Sequence, residues 1–270
     1  MVKVRVLRSG PRGNSTLIWN QDTAILVDCG IGLRIAEKLL KAQGFSLSAL
    51  SAVLITHSHG DHARPRTIEK LLENKVPVYC SAGVKRVVAN KMTIKPGKTV
   101  RPFPASVFRV GSFNIKPFPV NHDSPGGCVG YCVYAKNGKV TIKISLATDL
   151  GQPDNRVVRH LRNSLGLLLA SNHDPEMLRR SDVVPEHVKK NHIIPFHLSN
   201  LECAELIVRV AKSSRIKPSF VTLLHISENI NTAGKALAIS KHHLRKAGHA
   251  RIAVRPSYSY KASRTSRLGA

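Results

Sequence analysis

Four side chains that can bind a metal ion lie within six consecutive residues, at His57, His59, Asp61 and His62. Imidazole and carboxylate groups suit Zn(II), Mn(II) or Fe(II), and the lack of cysteine in the run argues against a purely structural zinc site. In an extended loop, His57 and His59 point to the same side, whereas Asp61 and His62 begin the next turn and can face a second ion. Packing alone rarely requires such a cluster, so the run predicts a metal centre.

Short strands and helices must position this run. The apolar segment Ala52 to Thr56 predicts a strand that leads directly into His57, so the metal-binding groups would lie at a strand end. Further strands are expected at Val2 to Arg8, Ser15 to Trp19, Ala24 to Asp28, Val107 to Val110, Phe113 to Val120, Gly130 to Ala135, Val140 to Ala147, Leu165 to Ala170, Phe220 to Leu224 and Arg251 to Val254. Segment Gly10 to Asn14 is interpreted as a hairpin turn.

Helical spacing of apolar residues marks Ile31 to Ala42, Thr67 to Glu73, Gly83 to Asn90, Asn155 to Asn163, Leu201 to Lys212 and Thr232 to Ala247. Strands followed by helix, strand and helix therefore occur twice along the chain. This order predicts an α/β (α+β) fold, an αββα sandwich in which two mixed sheets pack face to face with helices outside. Residues 1–255 are expected to form a single domain, and residues 256–270, which lack an apolar period, a mobile basic tail.

The histidine run resembles the H-x-H-x-D-H motif of the metallo-β-lactamase-fold hydrolases, whose fold is this αββα sandwich. Other strand ends extend the resemblance: Leu26-Val27-Asp28-Cys29-Gly30, Val120-Asn121-His122-Asp123, Ala147-Thr148-Asp149-Leu150-Gly151 and Leu223-Leu224-His225-Ile226-Ser227. Within that superfamily the chain is more similar to the WalJ/YycJ-type and tRNase-Z-like nucleases, through Ser9 to Thr16, Ser171 to Leu178, His197 to Asn200 and His225 to Asn231. It departs from them at Ala170, where an acidic residue is usual, and at Phe196, where glycine is usual.

The resemblance implies two divalent ions per chain, Zn or Mn, with Fe as a further candidate. One ion would be held by His57, His59 and His122, the other by Asp61, His62 and His225, with Asp149 bridging. Asp61 could also orient the attacking hydroxide, and His197 would protonate the leaving oxygen, unless it is a surface or capping histidine.

Supporting roles are expected behind these ligands. Asp28 is expected to orient a metal-bound histidine rather than to touch metal. Contact with substrate phosphate or structural support of the site is expected of His173, Ser199 and Asn200. The other histidines, expected at the surface, are His160, His187, His192, His242, His243 and His249.

The charge of the chain points to its partner. Lys and Arg number 42 against 16 Asp and Glu, a net charge of +26, and no acidic residue occurs from 74 to 121 or after Glu228. Self-repulsion of this size is most easily tolerated when a polyanion neutralises it, which favours nucleic acid. An anionic membrane surface, ribosome association or a bias in composition are alternatives. Aromatic residues make up only 5%, so base stacking is expected to be minor.

Several classes of protein are excluded or disfavoured. The apolar segment Leu165 to Ala170 is far shorter than the roughly 20 residues that a bilayer requires, and the first residues lack the apolar core of a secretory signal. The five cysteines are scattered, which is typical of reduced core thiols in a cytoplasmic protein.

The combined prediction is a dinuclear-metal phosphodiesterase, specifically a nuclease that hydrolyses DNA or RNA. Two alternatives remain open. One is a hydrolase of the same fold that acts on a small cyclic phosphodiester, thioester or lactone, and the other is an inactive relative that binds nucleic acid. The sequence leaves the choice of DNA or RNA, exonuclease or endonuclease action and the oligomeric state undecided.

Overall fold

The computed structural model describes residues 1–93, 99–103, 106–138 and 140–269, and its strands form two sheets of seven strands each. The first sheet has the order β14-β1-β2-β3-β4-β5-β6, with β1 (Val2–Arg8), β2 (Ser15–Trp19), β3 (Ala24–Val27), β4 (Ala52–Leu54), β5 (Val78–Cys80), β6 (Arg101–Pro102) and β14 (Ser266–Leu268). The second has the order β13-β12-β11-β10-β9-β8-β7, with β7 (Phe108–Val110), β8 (Phe113–Val120), β9 (Cys128–Asn137), β10 (Val140–Ala147), β11 (Gly166–Ala170), β12 (Phe220–Leu224) and β13 (Ala253–Pro256).

Both sheets are mixed in the same way. In the first, β14, β1, β2 and β3 pair antiparallel, and β3 to β6 pair parallel. In the second, β7 to β10 pair antiparallel, and β10 to β13 pair parallel. Because parallel strands end at the same edge of a sheet, the residues that follow their carboxyl ends are brought together there.

Helices cover the outer face of each sheet. They are α1 (Leu33–Lys41), α2 (Pro65–Glu73), α3 (Ala82–Ala89), α4 (Asn155–Leu161), α5 (Pro175–Arg180), α6 (Glu186–Val188), α7 (Ile194–Phe196), α8 (Asn200–Ser213) and α9 (Ala233–Lys246). Between α6 and α7 the chain continues as a π-helical turn, Lys189–Ile193. A capping box begins α8, where Ser199 and Glu202 each satisfy the backbone N–H of the other.

Three apolar layers show how the elements pack. One lies between the sheets and includes Val4, Ile25, Phe113 and Leu168. Another joins the first sheet to α1, α2 and α3, and the third joins the second sheet to α4, α8 and α9. This layering is the predicted αββα sandwich, so the fold class is confirmed.

The end of the chain differs from the mobile tail expected for residues 256–270. Val2 pairs with Leu268 and Val4 with Ser266, so residues 266–268 form an edge strand of the first sheet. Leu268 is buried in the layer between the sheets. The prediction failed because a strand of three residues offers too short an alternation of apolar and polar residues to register as a pattern.

Two smaller expectations are confirmed. Residues 10–14 connect the antiparallel strands β1 and β2 as a hairpin loop. All five cysteines are buried and free. Among the described residues, no helix has both the length and the apolar character needed to cross a bilayer.

Leu268→Ala tests the C-terminal strand. We expect the free energy of unfolding to fall by about 2 kcal/mol, because a buried side chain is lost from the layer between the sheets. Arg267→Ala, one residue earlier on the exposed face of the same strand, should change it by less than about 0.5 kcal/mol. Urea unfolding of both variants provides the measurement, and equal stability of the two proteins would show that the segment is not packed.

Candidate metal centre

The candidate site lies where strand ends of both sheets meet. Asp28 follows β3 directly, and His57 comes shortly after β4 in the first sheet. From the second sheet, His122 follows β8, Asp149 follows β10 and His225 follows β12. The structure therefore brings together side chains that are as far apart as residues 28 and 225 in the sequence.

Three imidazoles converge at one side of the site. Nε2 of His57 lies 3.1 Å from Nδ1 of His59, which lies 3.3 Å from Nε2 of His122. His122 Nδ1 lies 3.2 Å from the carbonyl oxygen of Phe196 and can donate its proton there, which leaves Nε2 free to act as a ligand. Thr56 Oγ1, 3.0 Å from Nδ1 of His57, holds that ring from behind.

His62 lies at the centre of the other side. Its Nδ1 is 2.7 Å from Oδ2 of Asp28, and its Nε2 is 2.9 Å from Oδ2 of Asp149 and 3.4 Å from Oδ2 of Asp61. Asp28 also accepts hydrogen bonds from the backbone N–H and the hydroxyl of Thr56. The buried Asp28 therefore orients His62, with its Nε2 directed at the two other carboxylates.

His225 closes the site from the second sheet. Its Nε2 lies 3.4 Å from Asp61 Oδ2 and 3.4 Å from Asp149 Oδ1, and its Nδ1 is 3.0 Å from the side-chain amide of Asn172. Both Asp28 and His225 adopt left-handed backbone conformations, with φ of 63° and 51°. Such conformations are unfavourable for residues other than glycine and occur preferentially at functional sites.

The hairpin loop between β1 and β2 supports the site in a way that sequence reasoning missed. Asn14 donates from Nδ2 to Oδ2 of Asp61 at 3.1 Å, and its backbone N–H donates to the Asp61 carbonyl at 2.7 Å. Ser9 Oγ donates to the Asn14 side-chain oxygen and accepts the backbone N–H of His225. In the sequence, the only sign of this role was the resemblance of residues 9–16 to the same segment of the nucleases. That resemblance did not predict that Ser9 or Asn14 contacts the site.

Gly30 allows this loop to pack closely against the motif. The Gly30 N–H donates to the Asn14 carbonyl, and the neighbouring Cys29 N–H donates to the His62 carbonyl. A Cβ atom at Gly30 would overlap the backbone carbonyl of Asp61, whereas one at Gly32 would meet open space. Glycine at 30 is therefore needed for its lack of a side chain.

His197 lies beside the predicted ligands. Its ring centroid is 4.9 Å from that of His122, and its Nδ1 is 3.5 Å from Oδ1 of Asp149.

His173 is buried and has no hydrogen-bond partner at Nδ1 within the described chain. Together with Ser199, Lys189 and Ile194 it lines a pocket of about 430 Å³.

Ser199 and Asn200 lie behind the site rather than in it. Ser199 caps α8, and Asn200 is entirely buried, where its side chain bonds Ser171 and Asn231. Asn231 in turn donates to the carbonyl of Asn172, the residue that contacts His225. Of the two expectations for Asn200, support of the site rather than phosphate contact fits this position.

Burial and charge set the protonation of the cluster. Burial lowers the pKa of His57, His59 and His122, so these rings are neutral, the form that binds metal. Burial also opposes charge on His62, but Asp149, Asp28 and Asp61 outweigh it and raise the pKa of His62 well above its ordinary value. The buried carboxylates of Asp28 and Asp149 and the partly exposed one of Asp61 thus require positive charge nearby, from protons or from cations.

The donor set fits divalent cations. Groups of three whose ligand atoms all lie within 4.8 Å of one another include His57-His59-His122, His57-His62-Asp149, Asp61-His62-His225 and His122-Asp149-His197. Asp149 Oδ2 lies 2.9 Å from Nε2 of His62, and Nδ1 of His197 is buried without a hydrogen-bond partner among the described residues. The ring nitrogens of His57, His59 and His122 face one another at 3.1–3.3 Å. Hydrogen bonds cannot pair all three nitrogens at once, whereas a bound cation can accept a lone pair from each of them.

Comparison with known proteins gives a family and a fold. The family model described as beta-lactamase superfamily domain matches residues 23–226. An exodeoxyribonuclease YycJ of Bacillus anthracis is 30% identical over 179 residues, which span 64% of this chain and 64% of the relative. An exodeoxyribonuclease WalJ of Streptococcus pneumoniae is 28% identical over 235 residues, 85% of this chain and 83% of the relative.

Solved structures share the fold. The metallo-beta-lactamase fold protein YhfI from Bacillus subtilis has a TM-score of 0.70 at 18% identity, covering 97% of this chain and 98% of its own. The short form of human tRNase Z has a TM-score of 0.62 at 15% identity, with the same coverage. At these identities the likeness concerns the fold alone.

Gly30→Ala is expected to disrupt the site. The added methyl group must displace the Asp61 backbone, so we expect the free energy of unfolding to fall by about 3 kcal/mol and bound metal per chain to decrease. Gly32→Ala should keep the metal content of the original protein and change stability by less than about 1 kcal/mol. Elemental analysis and urea unfolding of the two variants supply the comparison; a Gly30→Ala protein with unchanged metal content would contradict the packing argument.

Proposed function

The chain belongs to the beta-lactamase superfamily, and we propose that it is a two-metal phosphodiesterase that hydrolyses nucleic acid. The observation that carries the proposal is a cluster of four neighbouring donor triads among the described residues, in which His57, His62, His122 and Asp149 each belong to two triads. Two adjacent triads of imidazole and carboxylate groups exceed what a single ion requires, and paired ions are typical of enzymes that hydrolyse phosphodiesters.

In the proposed assignment, His57, His59 and His122 hold one ion, and Asp61, His62 and His225 hold the other. Asp149 is close to both groups: its carboxylate lies 2.9 Å from His62 Nε2 and 3.4 Å from His225 Nε2 of the second group, and a ligand oxygen lies within 4.8 Å of ligand atoms of His57 and His122 of the first, which would suit a bridging carboxylate. Asp28 would act through His62 by fixing its ring. Zn(II) and Mn(II) suit these ligands, and Fe(II) is a further candidate.

When bound, such ions supply a water of lowered pKa and positive charge that stabilises the phosphodiester as it reacts. In the proposed mechanism Asp61, one-quarter exposed and held by Asn14, would orient the attacking water by accepting its hydrogen bond. Burial lowers the pKa of His197 to about 3, so this imidazole is neutral and retains one N–H. A neutral imidazole can donate this N–H in a hydrogen bond to the leaving oxygen. To protonate that oxygen, as proposed, His197 would first take up a proton and become imidazolium, a form that the negative charge of a bound phosphodiester would favour.

Two lines of evidence favour nucleic acid as the substrate. The net charge of +26 suits a polyanion, and the relatives at 28–30% identity are named exodeoxyribonucleases. DNA is therefore the first substrate to test, and attack from a chain end the first mode. The five free buried thiols suit a reducing compartment such as the cytoplasm.

The alternatives explain less. A small phosphodiester, thioester or lactone gives the excess of basic residues no role. An inactive relative that only binds nucleic acid has no need for seven intact candidate ligands held by buried contacts such as the one between Asp28 and His62.

Asp61→Asn and His62→Ala test the catalytic proposal. Each variant should lose hydrolysis of end-labelled DNA in Mn(II) or Zn(II), because a ligand is removed, and should hold fewer metal ions than the original protein. Asp61→Asn keeps the side-chain size, so its folding should be preserved. His242→Ala, at an exposed histidine of α9, serves as the matched control and should remain active. Undiminished cleavage by Asp61→Asn would refute the ligand assignment.

Salt dependence tests the polyanion. Binding of DNA should weaken by about 10³-fold between 50 and 200 mM salt if six phosphates are contacted, because counterions are released on binding. Fluorescence anisotropy at several salt concentrations gives the slope. An affinity that is insensitive to salt would favour a small-molecule substrate.

A further inference from the structure

The segment that follows β13 lies at the same edge of the second sheet as the candidate metal centre. Strand β13 is parallel to β12, with Leu223 opposite Pro256, so the two strands end together. His225 follows β12, and Ser257 follows β13 and donates its N–H to the Leu223 carbonyl at 2.9 Å. Residues 257–261, which we call the tyrosine segment, therefore leave the sheet beside the site.

Hydrogen bonds tie the tyrosine segment to the site. The carbonyl of Tyr258 accepts the N–H of Ser9 at 3.0 Å, and the hydroxyl of Ser9 accepts the N–H of His225 at 2.8 Å. One residue thus separates the backbone of Tyr258 from that of a proposed ligand. Arg8 fixes the segment further by donating from its guanidinium to the Ser259 carbonyl at 2.8 Å.

Tyr260 differs from the other aromatic residues of this chain in its exposure. All seven Phe, five Tyr and one Trp lie within the described ranges, and among them only Tyr260 is exposed, with 63% of its surface accessible to solvent. Its ring centroid lies 5.5 Å from that of Tyr258, at an interplanar angle of 50°. An exposed tyrosine ring offers a flat face on which a base can stack.

Basic side chains lie in the same region as the two rings, and Lys261 contacts both. Nζ of Lys261 lies 4.2 Å from the Tyr258 centroid and 5.5 Å from that of Tyr260. Arg12, on the hairpin loop, is exposed, and Arg264 follows the segment. Glu228, the last acidic residue of the sequence, pairs with Arg12 at 3.1 Å and contacts Ser259. The balance of charge in this region is therefore positive.

We propose that the tyrosine segment is a stacking platform for a single strand of nucleic acid, which it leads into the metal centre. Aromatic faces beside basic side chains are the elements by which proteins hold single strands without reading their sequence, because every base has a π-face and every nucleotide a phosphate. The inference rests on the proposed function and adds to it the form of the substrate and the surface that holds it.

Tyr260→Leu tests the platform. The variant should raise the dissociation constant for a single-stranded oligonucleotide by about tenfold, the range expected for loss of one stacked base, whereas Tyr260→Phe should bind like the original protein. Val140→Ala is the control at an exposed apolar residue. Val140 is the first residue of β10, so it lies at the end of the sheet opposite to the strand ends that form the site. Anisotropy is measured with the full chain in an Asp61→Asn background, which keeps the buried contact between Asp28 and His62, so that the probe is not cleaved.

Two further probes separate this inference from the proposed function. An oligonucleotide that is abasic at several positions should bind Tyr260→Leu and the original protein equally. Hydrolysis of an abasic dinucleotide phosphodiester, which has no aromatic ring to stack, should be unchanged in Tyr260→Leu. If Tyr260→Leu binds the normal strand as tightly as the original protein, the platform is refuted. If no protein with an intact active site hydrolyses a phosphodiester, the proposed function is refuted. The comparison of binding by Tyr260→Leu and the original protein then still tests the platform.

Discussion

The contact between Asp28 and His62 is the interaction on which the arrangement of the site depends. It joins the end of β3 to the histidine motif after β4, and both side chains are almost completely buried. Removing a carboxylate and an imidazole from water is costly unless every polar atom is satisfied, and Thr56 contributes the additional donors to Asp28. Since the His62 ring can take only one orientation, its Nε2 faces Asp61 and Asp149, and the relative positions of the two donor triads follow.

Much of the fold and the central motif could be predicted because their signals are local. Strands such as Phe113–Val120, Val140–Ala147 and Phe220–Leu224 occur at their predicted bounds, since an apolar run or alternation needs only neighbouring residues to be recognised. The histidine run is recognisable for the same reason. The more distant candidates, His122, Asp149 and His225, came from the family resemblance, and the structure brings them within reach of that run.

The unpredicted parts depend on contacts between distant residues. Asn14 supports Asp61 across 47 positions, and Asn172 contacts His225 across 53, and neither asparagine differs in its local sequence from one in an ordinary loop. The strand Ser266–Leu268 is defined only by its partner β1. Low aromatic content suggested that stacking is minor, but a composition value cannot show that Tyr260 alone is exposed and lies at the edge where the candidate ligands meet.

The pairing of β14 with β1 also bears on how the chain folds. Val2 and Leu268 are partners, so one hydrogen-bonded ladder joins residues that are separated by almost the whole sequence. Closing so long a loop is slow, and during translation β1 lacks this neighbour until residues 266–268 have been synthesised. An unpaired edge of β1 can recruit strands from other chains, so the nascent protein is vulnerable to aggregation until residues 266–268 are available to pair with it.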